Sequence, residues 1–220
     1  MKIAFVGTGI IGSGLAVNAA MRGMDVAMFY RRNPEQLKDR VKGIFDVYVS
    51  NGAFTVREAE ECFDRIAFSM DLAEVVSGAA LVQESIAERV DDKRAMYRKI
   101  QEICGEDVII ASSTSGIFPS VLSEGALYPG KIIVGHPYNP SYLLPLVEVC
   151  GPQAPQEVID KAVEIYKAMG KEPVVCRKET EGFIVNKLSW AAMAAAKEAV
   201  MNGVCSVEDM VKAIMVGPGM

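Results

Sequence analysis

Ile3-Ala4-Phe5-Val6-Gly7-Thr8-Gly9-Ile10-Ile11-Gly12 is the stretch whose reading decides the fold of this chain. Four apolar residues suited to a buried strand run straight into a G-x-G-x-x-G turn, and the residues from Ile10 to Arg22 read as a buried helix. In a strand–turn–helix unit each glycine has a separate role. Gly7 permits the tight turn, Gly9 lets backbone approach a pyrophosphate, and Gly12 lets helix and strand pack closely. The helix start offers unbonded N–H groups and the positive end of its dipole. Gly7, Gly9, Ile10, Ile11 and Gly12 are therefore candidate dinucleotide-binding positions. The alternative is a glycine-rich turn with no ligand.

The same region could be mistaken for a membrane segment, because Ile3 to Met21 carries no charge. Gly7, Gly9, Gly12 and Gly14 together with Thr8, Ser13 and Asn18 make it a poor membrane helix or signal core, and no membrane partner is expected. A net charge of −5 with no basic cluster beyond Arg31-Arg32 argues against nucleic acid. Cys62, Cys104, Cys150, Cys176 and Cys205 are scattered without metal-ligand spacing, so no metal site is expected. They read as reduced, structural thiols of a cytoplasmic protein.

Outward from the glycine turn, apolar runs alternate with helical periods. Strands are expected at Asp25–Phe29, Ile66–Ser69, Ala80–Gln83, Val108–Ser112, Ile132–Gly135, Leu146–Cys150 and Val174–Cys176. A helix from Pro34 has Leu37, Val41, Ile44 and Phe45 at helical spacing, and further helices fall at Asp71–Ser77, Asp91–Cys104 and Pro155–Met169. Alternation of this kind predicts an α/β, doubly wound, mainly parallel sheet. After Cys176 no strand follows. Glu181–Asn202 reads as one long Ala- and Met-rich helix and Val207–Met215 as another. The expected organisation is a dinucleotide-binding domain over residues 1–179 and the beginning of an all-α domain over residues 180–220. The terminal turn Gly217-Pro218-Gly219-Met220 comes before such a domain could be complete, so more helical protein is expected beyond it.

An acidic residue about 20 positions beyond the glycines would bind the ribose 2′-hydroxyl of NAD. The second strand ends at Phe29 and is followed by Tyr30-Arg31-Arg32-Asn33, with no acid. Guanidinium groups bind phosphate and stack on adenine, so these four residues favour NADP, with NAD possible. Two solvated surface arginines are the competing reading. The single histidine, His136, lies at a strand end, and strand ends of an open α/β sheet face the ligand crevice. Glu148 stands in the apolar run Leu146-Val147-Glu148-Val149 and needs a partner, for which His136 is the obvious candidate. An imidazole oriented by a carboxylate is a general base for an alcohol.

Four segments, in order and relative spacing, give the chain a family resemblance: Ser112-Ser113-Thr114-Ser115-Gly116, His136-Pro137-Tyr138-Asn139-Pro140, Leu146-Val147-Glu148-Val149 and Gly182-Phe183-Ile184-Val185-Asn186. It resembles the 3-hydroxyacyl-CoA dehydrogenase family along its whole length. The resemblance implies a dehydrogenase in which His136 takes the proton of a 3-hydroxyl and Glu148 orients it, while Ser115 and Asn186 hydrogen-bond the reacting oxygen. It also places Glu88, Lys93, Ser115 and Asn139 at the cofactor. A reading of Glu88 and Lys93 as surface charges at a helix start stays open.

Departures from the acyl-CoA pattern matter as well. Pro137 and the run Ser141-Tyr142-Leu143-Leu144-Pro145 look more like the branch acting on small hydroxy acids without CoA, such as carnitine and gulonate. The ending Gly217-Pro218-Gly219 also resembles that branch. Asp39 and Asp46 on the helix Glu35–Ser50 would not help to hold CoA phosphates. Family members continue for roughly another hundred residues, the size of a small domain. The resemblance implies that this region closes the substrate cleft and forms a homodimer. The expected function is thus a small-molecule dehydrogenase of carnitine or gulonate type. A short-chain 3-hydroxyacyl-CoA dehydrogenase and a non-catalytic dinucleotide-binding protein, like the lens crystallin related to the family, are the alternatives.

Overall fold

The structure, a computed structural model, describes residues 1–217 and 219. Pro218 and Met220 of the terminal turn lie outside the described residues. By its internal contacts the chain divides into two compact units, Met1–Glu179 and Thr180–Met220.

The first unit is built on one sheet. Its strands are β1 (Lys2–Val6), β2 (Asp25–Phe29), β3 (Ile66–Ser69), β4 (Ala79–Glu84), β5 (Ile109–Ser112), β6 (Ile132–Pro137), β7 (Leu146–Cys150) and β8 (Glu172–Cys176). They lie in the order β3-β2-β1-β4-β5-β6-β7-β8. The first six are mutually parallel, β7 runs antiparallel to β6, and β8 runs parallel to β7. The chain winds outward to β3 and then resumes on the other side of β1, so the order reverses between β1 and β4. In such a sheet this reversal opens a crevice at the carboxyl ends of the strands. The doubly wound, mainly parallel sheet is the architecture the alternation of elements implies.

Strands covered on both faces need apolar residues on both, and β5 and β6 are buried at every position. Helix α1 (Ile10–Met21) is buried from Gly12 to Ala20, which explains its lack of an amphipathic face. Helix α2 (Pro34–Ser50) is amphipathic and buries Leu37, Val41, Ile44 and Phe45. Helix α3 (Val56–Phe63) was not among the expected elements. A reciprocal capping box starts it, with the Glu58 amide donating to Thr55 Oγ1 at 3.2 Å and the Thr55 amide to Glu58 Oε2 at 2.8 Å. Helices α4 (Leu72–Val76), α5 (Val90–Cys104), α6 (Pro119–Leu122) and α7 (Gln156–Ala168) complete the unit, of which only α6 was not anticipated.

In the second unit the single helix expected over Glu181–Asn202 is shorter. Gly182 and Phe183 have φ of 71° and 49°, a left-handed conformation that a right-handed helix cannot contain. Helix α8 therefore spans Val185–Met201, and α9 spans Val207–Val216. Leu188, Trp190, Met193 and Met201 of α8 and Val211, Ile214 and Met215 of α9 are exposed. Among the described residues no helix is long and apolar enough to cross a membrane.

The hairpin between β6 and β7 is tied to the rest of its unit at several points. Ser141 Oγ donates to the Ile11 carbonyl at 3.1 Å, and Asn18 Nδ2 and the Tyr48 hydroxyl both donate to the Tyr142 carbonyl. Lys171 is buried and donates to the carbonyls of Ser141 and of Leu144, the latter at 3.1 Å. Desolvation lowers its pKa to about 8.

Two outcomes follow from this packing. A Cβ on Gly135 would overlap the hydroxyl of the fully buried Tyr166, so Gly135→Ala should cost about 1–3 kcal/mol. Gly43, in α2 with open space around it, should gain about 0.5–1 kcal/mol as Gly43→Ala. Urea unfolding midpoints at constant slope measure both. Lys171 binds its proton more weakly in the folded chain than in the unfolded one, so its burial is costly below pH 8 and the cost fades as pH rises towards the free-lysine value. The stability of wild type relative to Lys171→Met should accordingly improve between pH 8 and 10.

Candidate active site

The glycine turn sits between β1 and α1 at the sheet reversal. Gly7 has φ 120°, and a Cβ there would lie 2.5 Å from the Ser85 carbonyl carbon. A Cβ on Gly12 would overlap the Gly7 carbonyl. These two glycines are required by the turn itself and by its contact with the end of β4. Gly9 is different, since nothing lies within 4 Å of its Cβ position. Its missing side chain therefore leaves open space over the turn, and Ile10 beside it is exposed. A cradle bare at one glycine and closed at two fits a pyrophosphate. Arg40 of α2 donates to the Thr8 carbonyl and holds the turn from outside.

A cleft of about 520 Å³ extends from Gly7 and Thr8 along Phe29, Tyr30, Arg31 and Arg32, with Ser85, Ile86 and Ala87 after β4 on another side. Asn33 is exposed beyond Arg32, with φ 53°, at the position preceding α2, where its side chain makes no capping hydrogen bond. Among the described residues neither Arg31 nor Arg32 forms an ion pair.

At the carboxyl ends of β4 and β5 stands a buried polar cluster centred on Glu84, which is 0% exposed. Its Oε1 accepts from Lys93 Nζ at 2.8 Å and from the Ile86 amide at 2.6 Å, while Oε2 accepts from Ser112 Oγ at 2.8 Å and from the Tyr97 hydroxyl. Burial, and then the charge of Glu84, raises the Tyr97 pKa well above the usual phenol value, which keeps the hydroxyl a donor. Lys93, 1% exposed, also lies 3.4 Å from Glu88 Oε2, and Glu88 accepts from the Thr114 hydroxyl. Lys93 is thus a buried ion-pair partner rather than a solvated helix-start charge, whereas Glu88 is half-exposed. Thr114 Oγ1 in turn accepts the Ile117 amide at 2.9 Å, so the loop carrying the exposed Ser115 is fixed from both sides. Glu84 had no place in the sequence reading. Its signal was an acid closing a buried strand, directly after Gln83.

His136 lies one residue before the end of β6, and antiparallel register sets it directly opposite Glu148 on β7. Nδ1 of His136 and Oε2 of Glu148 are 2.8 Å apart, with His136 7% exposed and Glu148 0% exposed. The carboxylate thereby engages one of the two ring nitrogens and orients the imidazole. Gln83 Nε2 donates to the Gly135 carbonyl at 3.1 Å and to Ser113 Oγ at 2.7 Å, bracing the strand next to the imidazole. Asn139 is exposed in the hairpin that follows, before a cis bond to Pro140. Ser115, His136, Glu148, Glu88, Lys93 and Asn139 all belong to the first unit, and Asn186 belongs to the first turn of α8 in the second. Burial pushes the Cys150 thiol up to about 12, which makes it a poor nucleophile.

Residues 2–180 match the family model described as 3-hydroxyacyl-CoA dehydrogenase, NAD binding domain. The chain is 38% identical over 221 residues to an L-carnitine dehydrogenase/betainyl-CoA thioesterase of Ruegeria pomeroyi, covering 98% of this chain and 44% of that protein. It is 36% identical to an L-carnitine dehydrogenase of Bacillus cereus, covering 100% of this chain and 67% of that protein. The chain therefore spans between under half and about two thirds of the length of these relatives. Among solved structures it is similar to a diketoreductase, at TM-score 0.91 and 29% identity over 100% of this chain and 79% of that one. A (S)-3-hydroxybutyryl-CoA dehydrogenase of Ralstonia eutropha gives TM-score 0.90 at 26% identity over 100% of this chain and 78% of that one. With a family model covering residues 2–180, most of its length, the chain belongs to the 3-hydroxyacyl-CoA dehydrogenase NAD-binding-domain family.

Proposed function

We propose that this chain carries the dinucleotide-binding domain of an NADP-preferring dehydrogenase that acts on a small 3-hydroxy acid of carnitine or gulonate type. The observation that carries the proposal is the buried His136–Glu148 pair at the same sheet edge as the glycine turn. Support for the substrate class comes from the relatives named as L-carnitine dehydrogenases. Support for the cofactor comes from the open space at Gly9 and from Arg31 and Arg32 in the cleft.

In this reading His136 takes the substrate's 3-hydroxyl proton on Nε2. Glu148 holds the ring through Nδ1 and stabilises the imidazolium that results. Ser115 and Asn186 donate hydrogen bonds to the reacting oxygen, where negative charge develops. Gly7, Gly9, Ile10, Ile11 and Gly12 hold the pyrophosphate, Tyr30 to Asn33 the adenosine end, and Glu88, Ser115 and Asn139 the remainder, with the buried Lys93 acting through Glu88. When bound, the nicotinamide supplies the hydride acceptor. The similarity to 3-hydroxybutyryl-CoA dehydrogenase structures keeps a CoA thioester as the second reading.

Turnover followed by NADPH absorbance with carnitine, gulonate and 3-hydroxybutyryl-CoA separates the two, and reaction of the CoA ester alone selects the second. His136→Ala should lower kcat by about 10²–10⁴-fold. Unchanged turnover in that variant would remove His136 from the chemistry. Fluorescence titration of the Arg31→Ala/Arg32→Ala double variant should show NADPH weakened by about 10-fold or more and NADH little changed. Equal losses would dismiss the 2′-phosphate role.

A further inference from the structure

The cleft beside the glycine turn has one wall that the cofactor reading above does not use. Asp92, Ala95, Met96 and Lys99 of α5 line it, and their spacing of three, four and seven residues places them on one face of the helix. Ala95 and Met96 give this wall a low apolar surface suited to a flat base. Asp92 is engaged by Arg89, whose Nε lies 3.2 Å from its carboxylate. Lys99 is exposed and, among the described residues, has no carboxylate partner. The cleft thus collects three unpaired cations, Arg31, Arg32 and Lys99, in a chain whose net charge is −5. Two come from the segment after β2 and the third from a helix that follows β4.

We propose that Lys99 is a specificity-determining residue that binds the 2′-phosphate of the adenosine end of NADP together with Arg31 and Arg32. The inference rests on the NADP reading and adds a residue to it from a separate element. A phosphate monoester carries more charge than the ribose hydroxyl it replaces, and a compact ammonium group on a flexible stem can meet it from a different element of the cleft than the guanidinium groups. The ribose hydroxyl of NAD offers Lys99 no charge to pair with. Lys99 therefore separates the two cofactors without contributing to the pyrophosphate site they share.

The test is a fluorescence titration of the full 220-residue chain with NADPH and NADH, repeated with 2′,5′-ADP and AMP as displacing probes. Lys99→Ala should weaken NADPH and 2′,5′-ADP by about 5–20-fold and change NADH and AMP less than about twofold. Lys99→Arg should keep the preference for NADPH. Raising salt should weaken NADPH more in wild type than in Lys99→Ala, because one phosphate contact is already gone. Lys99 sits on an exposed helix face, so the variants keep the fold, which a thermal melt checks. An unchanged NADPH affinity in Lys99→Ala, or equal losses for both cofactors, overturns the inference while Arg31 and Arg32 keep their own test. A wild-type chain that binds NADH as tightly as NADPH overturns the NADP reading itself, and the role of Lys99 with it.

Discussion

Glu84 and Glu148 are both sealed from solvent, and a carboxylate in that position must be hydrogen-bonded or give up its charge. Meeting that requirement organises the carboxyl edge of the sheet. Around Glu84 four donors come from the strand ends, from the loop after β4 and from α5, which fixes the exits of β4 and β5 relative to the helix. Around Glu148 the partner is His136, supplied by the register of an antiparallel pair. Removing Lys93 would leave the buried Glu84 carboxylate without its cation, at a cost of about 3–5 kcal/mol. The loop carrying Ser115 is held beside this cluster by Thr114, and the hairpin carrying Asn139 by Ser141 and Lys171.

Electrostatics and sterics divide the crevice into regions. Glycines close the turn where backbone passes backbone at Gly7 and Gly12, and leave it open at Gly9. Farther out the walls turn basic, against the acidic balance of the chain as a whole. A low-dielectric cleft focuses the field of such a cluster and favours an anion entering it. The buried pair on β6 and β7 lies farther along the same strand edge, where the sheet direction changes. On the function proposed above, cofactor recognition and proton transfer would belong to different strands of one scaffold.

Much of this was legible from residue pattern. The strand-to-glycine-turn motif, the alternation of apolar runs and helical periods, and the buried stripe of α2 all follow from short-range periodicity, which secondary structure obeys directly. Helix α3 was missed although its capping box was written in Thr55 and Glu58, because its apolar stripe is brief and only Ala59 is buried. The start of α8 was misplaced because nothing in Gly182-Phe183 as a string says that both residues turn left-handed; that choice is made by the backbone path. Lys93 read equally well as a surface charge, since its burial depends on Glu84, nine residues earlier and on another element.

The sequence by itself determined the class of sheet, the location of the glycine turn, and the presence at a strand end of one histidine with an acid twelve residues on. These are local properties, set by side-chain periodicity and by the conformations that glycine permits. Tertiary structure alone decided that β7 reverses direction and so brings Glu148 within 2.8 Å of His136, that Glu84 gathers four donors, and that Lys99 faces the same cleft as Arg31 and Arg32. Each of these is a meeting of residues from different elements. Strand register and helix rotation fix such meetings, and both are settled by the packing of the whole sheet against its helices.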